Sequence, residues 1–316
     1  MFDIVLNPAG ASGQAGKTWQ KVKPLFVASG KDFRVHISHS TQNMHDIIHD
    51  LSVHQSDIVI IGGDGSFNEA INAVDDFDHV RLGLISAGSG NDLIRSLHVS
   101  KDPMEQAQTI LKGNTVRFIN VGEVTFKTRS DVIQNMEIDT SGYAHRRFVI
   151  SAGIGFDANI CHDAQYSKWK KVFNHLHLGR LIYLHTAIQI IASTKRSKAW
   201  ITQDGNCSVY PQLLVCVVMN QPYEGGGFMF CPDADDQDDL LDCCIGDGLS
   251  QGDFFRIFPY ALKGHHLKFK GIHVSTAKEV EIKTEEPMWV HTDGEVPCCS
   301  THICIGLSDQ KVRMLI

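Results

Sequence analysis

Short apolar runs recur through the first third of the chain at residues 3–6, 34–37, 57–61 and 81–85, and the stretches between them carry apolar positions at helical spacing. Residues 18–28, 43–51, 67–74, 91–97 and 103–111 are the helices this pattern predicts; the last opens on Pro103, which a first turn tolerates. Strands alternating with helices imply an α/β domain built on a parallel sheet. After residues 112–114 the texture changes. Alternating positions at Val116, Phe118 and Asn120, at Val124 and Phe126, at Met136 and Ile138, and through residues 148–152 predict a second, mainly β domain. A helical segment interrupts it at residues 168–192, where Trp169, Val172, Phe173, Leu176, Leu181, Leu184 and Ile188 recur, and another helix is expected at 252–262. The expected division is residues 1–122 for the α/β domain and 123–299 for the β-rich one, with 300–316 returning to the first.

Composition narrows the class. The 316 residues are 43% apolar and 21% charged, enough for two ordinary domains with their own cores. The longest uninterrupted apolar run, residues 213–219, falls far short of the ~20 a membrane helix needs. Met1 leads straight into the first apolar run without a basic leader, so a cytoplasmic location is expected. Nine cysteines, an odd number scattered through apolar segments, suit reduced core thiols better than a disulfide framework. A net charge of −7 argues against a nucleic-acid partner.

Candidate chemistry sits in the turns after the first-domain strands. Gly62-Gly63-Asp64-Gly65-Ser66 follows one apolar run and precedes a helix. Its glycines let backbone N–H groups approach an anion, and the helix adds the positive end of its dipole. Ser66 with Glu69 also fits a capping box, the simpler explanation of those two residues. Asp64 in such a turn would repel phosphate unless a divalent cation lay between them, which implies Mg²⁺ with a nucleotide. A second loop, Gly88-Ser89-Gly90-Asn91-Asp92, follows the next strand; Ser89 or Asn91 is also a candidate helix cap. Two such loops at the carboxyl ends of parallel strands converge on one crevice. The third loop, after the first strand, contains Asn7, Pro8 and Gly16-Lys17-Thr18, but Ala11 stands where a P-loop needs its first glycine.

Together, Asn7-Pro8, the Gly62–Ser66 loop with Asn68-Glu69, the Gly88–Asp92 loop and Asp293-Gly294-Glu295 resemble the lipid kinases of the bacterial diacylglycerol kinase type, relatives of sphingosine and ceramide kinases. That resemblance implies an N-terminal α/β domain that binds ATP, a C-terminal β-sandwich-like domain that binds lipid, and an active site in the cleft between them. It implies Glu295 as general base; Asp64 is the rival base, read here as the carboxylate that positions Mg-ATP, with Asp92 as a neighbour orienting the substrate hydroxyl or metal waters. Asn7, Pro8, Lys17, Ser40, Gly62, Gly63, Gly65, Ser66, Gly88, Ser89, Asn91 and Asp293 are its ATP-contacting positions, and Asp64 also serves Mg²⁺. Asp238 and the Leu240 carbonyl are implied as ligands of a structural Mg²⁺, although Asp239 stands at a position where the family has glycine. Ser86 replaces a common proline, and Ser66 and Ser89 replace threonines.

Beside that resemblance, Asp293-Gly294 alone reads equally as a hairpin turn. Residues 233–253 carry eight aspartates and no lysine or arginine, a density that a bound cation would relieve. Cys298, Cys299, His302 and Cys304 match no closed zinc spacing. Residues 161–200 hold seven basic side chains against Asp163 and make a candidate surface for anionic headgroups, or else a solvated helix. The expected partners are therefore a lipid substrate and, transiently, a membrane surface. The alternatives are a soluble NAD-type kinase and a non-catalytic nucleotide- or lipid-binding regulator; oligomeric state, a homodimer included, is left open.

Overall fold

The computed structural model describes residues 1–54, 56–131, 137–138, 142, 144–166 and 196–316. These fall into two compact units, Met1–Val121 with Ser308–Ile316, and Gly122–Leu307. The helix expected at residues 168–192, Met136, and most of the basic stretch at 161–200 lie outside the described residues.

In the first unit β1 (Phe2–Leu6), β2 (Phe33–Ile37), β3 (Ser56–Gly62) and β4 (Val80–Ser86) pair in parallel in the order β4-β3-β1-β2. The chain's last strand adds Arg313–Leu315 beside β4, also in parallel. Registers of Leu6 with Ile37 and Ile61, and of Gly62 with Ser86, end these strands level with one another. All four outgoing loops therefore leave from one edge. The helices are α1 (Gly10–Ala28), α2 (Thr41–Ser52), α3 (Asp64–Ala73), α4 (Asp92–Ser96) and α5 (Pro103–Lys112). In α1 the buried Ala15, Trp19, Val22 and Phe26 recur at helical spacing, so one stripe meets the sheet. They join Ile4, Leu6, Val59, Ile61, Ile85, Ala107 and Ile110 in one core, with α1 against α5. Helices α2 and α3 pack together and on β3. Strand β1 passes to β2 on one side and the chain then returns to β3 on the other, which makes the β1–β3 gap the point where strand order reverses.

The second unit is antiparallel in every strand pair with a described register. It contains the end of β5 (Val116–Phe126), then β6 (Glu137–Ile138), β7 (Ala144–Phe148), β8 (Ser151–Gly155), β9 (Ser197–Gln203), β10 (Asn206–Met219), β11 (Leu241–Asp247), β12 (Ile272–Ala277), β13 (Glu279–Thr292) and most of β14 (Glu295–Leu315). Strands β10 and β13 are each shared: their first halves pair with β9 and their second halves with β8. Register breaks between Tyr210 and Leu213 and between Lys283 and Met288 bracket Pro211 and Pro287, which cannot donate to a ladder. The sheet thus curls around one core that includes Phe126, Phe148, Ile154, Ile201, Val218, Ile245, Ile282 and Val290. Helices α6 (Phe156–Tyr166) and α7 (Gln251–Ala261) complete the unit, and a 3₁₀ turn follows at His265–Lys268. All nine cysteines are free, and burial pushes the Cys243, Cys244, Cys298 and Cys299 thiols up to about 12. Among the described residues no helix is long and apolar enough to cross a membrane.

Asp3 on β1 is 1% exposed and its carboxylate receives Arg34 Nε at 2.8 Å and contacts His36 Nε2 at 2.9 Å. Burial alone would raise Asp3, but these two partners on β2 hold it below the ordinary carboxylate value. A depressed acid stabilises the fold above its unfolded value and loses that contribution as pH falls through the folded one. Asp3→Asn is therefore expected to lower the melting temperature near pH 7 and to shrink the difference from wild type below pH 4, as thermal unfolding across pH would record.

Candidate functional site

The two glycine loops of the first unit meet backbone to backbone. A Cβ on Gly88 would stand 2.9 Å from Gly63 Cα, and one on Gly63 would stand 3.2 Å from Gly88 Cα. The Ala87 N–H donates to Gly62 O at 2.7 Å and fixes this approach. Gly62 has its own reason to lack a side chain, because a Cβ there would lie 2.5 Å from Ser66 Oγ.

Gly63 is the N-cap of α3, with extended backbone and no side-chain cap, so Asp64, Gly65 and Ser66 are the first three helical residues. The capping box expected of Ser66 and Glu69 is not formed: Ser66 stands inside the first turn, where its hydroxyl lies over Gly62. The N–H groups of a first turn have no acceptor within the helix and point out at its start, where an anion is favoured.

Asp64 has a structural partner that its sequence neighbours do not reveal. Its Oδ2 accepts from the Asp92 N–H at 3.1 Å and its Oδ1 from the Leu93 N–H at 3.3 Å. It thereby supplies the cap of α4 that Ser89 or Asn91 was expected to give. Asn91 occupies the N-cap position in a left-handed conformation (φ 51°) with no cap bond of its own; its amide donates to Gly88 O at 2.9 Å. Ser89 is exposed. Asp92 is buried and paired with the Arg95 guanidinium, one helical turn on. Ser86, at the common proline position, uses the N–H a proline would lack: it donates to Gln106 Oε1 at 2.8 Å, and Gln106 Nε2 returns to Ser86 Oγ at 2.9 Å. Arg95 and Gln106 were missed from sequence, although Asp92 and Arg95 stand at helical ion-pair spacing.

The loop after β1 is irregular. Ala11, Ser12 and Gly13 take positive φ of 49°, 57° and 85°, so the regular part of α1 begins beyond them. Asn7 Oδ1 accepts the Ala9 N–H at 3.0 Å, and a Cβ on Gly16 would press to 3.1 Å on Pro8 O. Pro8 and Lys17 are exposed. Ser40 is the N-cap of α2, its hydroxyl accepting from the Asn43 N–H at 3.1 Å.

In the second unit Asp293 and Gly294 form the two-residue turn from β13 to β14, with φ of 49° and 83°, and Thr292 pairs with Glu295. Positive φ at both central residues suits the twist of a hairpin. The Asp293 carboxylate accepts the N–H groups of Val149, Ile150 and Ser151 at 3.0, 2.8 and 3.0 Å, so it fastens the turn to the β7–β8 connection. Glu295 opens β14 and is half-buried. Behind the turn His291 is fully buried, with Nε2 at 2.7 Å from Asp157 Oδ2 and 3.1 Å from Glu224 Oε1, and with Nδ1 3.2 Å from the Gly294 nitrogen. Burial pulls His291 down, but the Glu224 and Asp157 carboxylates outweigh it and raise the ring to about 9. Burial, then the charges of Glu224, Asp157 and Glu295, push the Cys161 thiol well up. A Cβ on Gly153 would overlap Asp157 and His291. These three charged residues escaped the sequence reading because 67 positions part Asp157 from Glu224 and 67 more part Glu224 from His291.

The acidic stretch is partly internal. Asp236 is buried and accepts from Gln221 Nε2 at 2.7 Å, and Asp238 Oδ1 accepts the Leu240 N–H at 2.9 Å. Asp239 adopts φ 59°, in the left-handed region that favours glycine. Burial, then repulsion from Asp238 and Asp233, pushes Asp242 up to about 6. Hard oxygen donors that repel one another are the donor set a divalent cation suits. On the β13–β14 pair His302 bonds Glu281 at 2.8 Å, as Lys283 does, while Cys298 and Cys299 are buried.

Residues 2–124 match the profile of the diacylglycerol kinase catalytic domain, and residues 149–302 match the YegS C-terminal NAD kinase beta sandwich-like domain. The putative lipid kinase YtlR of Bacillus subtilis is 23% identical over 298 residues, covering 93% of this chain and 92% of its own. A diacylglycerol kinase of the same organism is 25% identical over 295 residues, with 92% and 88% covered. The crystal structure of a putative diacylglycerol kinase from Bacillus anthracis str. Sterne shares the fold over 99% of this chain and 96% of its own, with a TM-score of 0.73 at 20% identity. Carrying the catalytic-domain match and the sandwich-domain match in that order along most of its length, the chain belongs to the diacylglycerol kinase catalytic-domain family of lipid kinases.

Proposed function

We propose that the protein transfers the γ-phosphate of ATP to the hydroxyl of a diacylglycerol-like lipid, with Glu295 taking the hydroxyl proton. The observation that supports this most is the Gly63–Gly88 approach, which sets the start of α3 beside the β1–β3 reversal point, the end of a helix where an anion is favoured. Asn7, Pro8, Lys17 and Ser40, and Gly62 to Ser66 with Gly88, Ser89 and Asn91, leave from that same sheet edge as the candidate nucleotide contacts. Asp293 contributes to ATP through the turn it fastens.

Glu295 accepts the proton as the lipid oxygen attacks the γ-phosphorus and the bond to the β-phosphate oxygen breaks, releasing ADP. Asp92, held by Arg95, is the candidate to orient the substrate. The Asp92 and Leu93 amides hold both carboxylate oxygens of Asp64 in place. Mg²⁺ would be held by Asp64 at the nucleotide and by Asp238 with the Leu240 carbonyl in the acidic loop, and it supplies neutralisation of phosphate charge at the first place and of carboxylate repulsion at the second. His291 acts as a positioning residue: through Gly294 it sets the turn that presents Glu295.

Labelled ATP with a mixed lipid panel, and NAD as a parallel acceptor, tests the reading. Phosphorylated diacylglycerol identified by mass supports it, and phosphorylation of NAD with no lipid product overturns it. Glu295→Gln is expected to lower kcat by roughly 10²–10⁴ with an unchanged melting temperature. Asp64→Asn should abolish turnover while costing about 1–2 kcal/mol, since the amide oxygen keeps only one of the two α4 N–H groups, whereas Asp64→Ala loses both.

Titration with Mg²⁺ should raise the melting temperature of wild type, and Asp238→Asn should flatten that rise; an undiminished rise removes Asp238 from the site. His291→Leu strands two buried carboxylates and is expected to cost about 3–5 kcal/mol in chemical denaturation. The milder His291→Gln should depress kcat with KM for ATP unchanged, a split that a purely structural role would not give.

A further inference from the structure

The second unit has one surface that neither the nucleotide loops nor the Glu295 turn explains. Residues 254–278 carry Arg256, Lys263, Lys268, Lys270 and Lys278 and no aspartate or glutamate, in a chain of net charge −7. Arg256, Lys263, Lys268 and Lys270 are exposed. Among them Phe255, Tyr260 and Leu262 expose 42%, 44% and 47% of their surface. The other face of α7 is already committed: Ile257 is buried with Phe156, Leu214 and Leu249, and the Phe258 ring lies 4.6 Å from Phe228.

The exposed face is also ordered. Tyr260 meets Phe269 edge to face at 5.1 Å, Lys268 Nζ lies 5.9 Å from the Tyr260 ring, and the Arg256 guanidinium lies 5.3 Å from Phe269. A depression of about 280 Å³ opens beside it, lined by Gly264, His265, Leu267 and Lys268.

We propose that this face of α7 and the following 3₁₀ turn docks the protein on an anionic lipid bilayer. Aromatic and aliphatic side chains interleaved with lysines suit the water–hydrocarbon boundary, where rings sit at headgroup level and lysine stems run along apolar surface to reach phosphate. A second copy would set positive charge against positive charge. An acidic protein would satisfy the lysines but gives no reason to leave Phe255 and Leu262 exposed. The inference rests on the lipid-kinase reading for its purpose, since it names where a membrane-borne substrate is met, but docking itself requires no turnover.

The test is co-sedimentation of the full chain, without nucleotide, with phosphatidylcholine vesicles that contain or lack phosphatidylglycerol. Wild type is expected to bind the anionic vesicles, and to release with salt. Each lysine near such a surface contributes about fivefold in partitioning, so Lys263→Glu with Lys270→Glu should weaken binding by at least about twentyfold. Phe255→Ser should weaken it independently, and the folded state of each variant is checked by its melting curve. Lys23→Glu with Lys112→Glu, the same charge change in the first unit, should leave binding within about twofold.

Undiminished binding of the α7 variants, equal loss in the control, or equal binding to neutral vesicles overturns the proposal. So does a dimer that dissociates on the α7 changes, which would make the face a self-interface. Turnover of diacylglycerol dispersed in detergent micelles is read separately. Variants that keep micellar turnover but lose vesicle binding support docking, whereas a wild type that binds vesicles yet phosphorylates no lipid refutes the kinase reading alone.

Discussion

At the carboxyl edge of the first unit's sheet, the Gly63 and Gly88 backbones approach so closely that a methyl group on either would have to displace the other. Parallel strands of matched register bring the two loops to the same level, but level loops with side chains would stand apart. Removing both Cβ atoms lets Ala87 reach Gly62, leaves Ser66 free to fold its hydroxyl back over Gly62, and brings α4 within range of Asp64. The placement of the start of α3 against the second loop is a consequence of that contact. An anion site made this way depends little on particular side chains and strongly on backbone placement.

The aspartates that mark the site are structural first. Asp64 caps a helix across 28 residues of chain, and Asp293 gathers three consecutive backbone amides. A carboxylate in such a place replaces water around N–H groups that would otherwise be stranded, and it is held in one rotamer as a result. Rigid carboxylates are also what positioning a cation or a reacting hydroxyl demands. The chemical roles proposed for these aspartates thus fall on residues that also hold the fold, and the folded state of any aspartate variant must be known before its lost turnover has meaning.

The succession of strands and helices in the first unit was legible because buried parallel strands need apolar runs such as Val59–Ile61 and amphipathic helices need a stripe such as Trp19, Val22 and Phe26. Glycine loops were legible for a similar local reason. Contacts that close over distance were not. Nothing near Asp64 announces the Leu93 amide, nothing near Ser86 announces Gln106, and His291 finds its carboxylates in two other segments. Local rules even misled at Ser66, where serine three residues before glutamate suggested a cap; the glycine before Asp64 took that position because the strand runs to Gly62. Asp239, at a position where the family has glycine, does take the left-handed conformation that glycine favours and aspartate tolerates.

Net charge is a poor guide to what such a chain can meet. At physiological salt a charge is felt over about 8 Å, so acid elsewhere on the surface does little to a membrane facing Lys263 and Lys270. What counts is the local excess. Along the sequence the chain divides it sharply: eight aspartates crowd residues 233–253 without a base, and five bases follow in residues 254–278 without an acid. In the first block burial, then repulsion from Asp238 and Asp233, raises Asp242, and a bound cation would relieve that repulsion. The second block is costly to leave bare because apolar rings lie among its lysines, and it favours a surface that is both anionic and apolar at its boundary. The two blocks nearly offset each other within the total of −7, and each acts on its own neighbourhood.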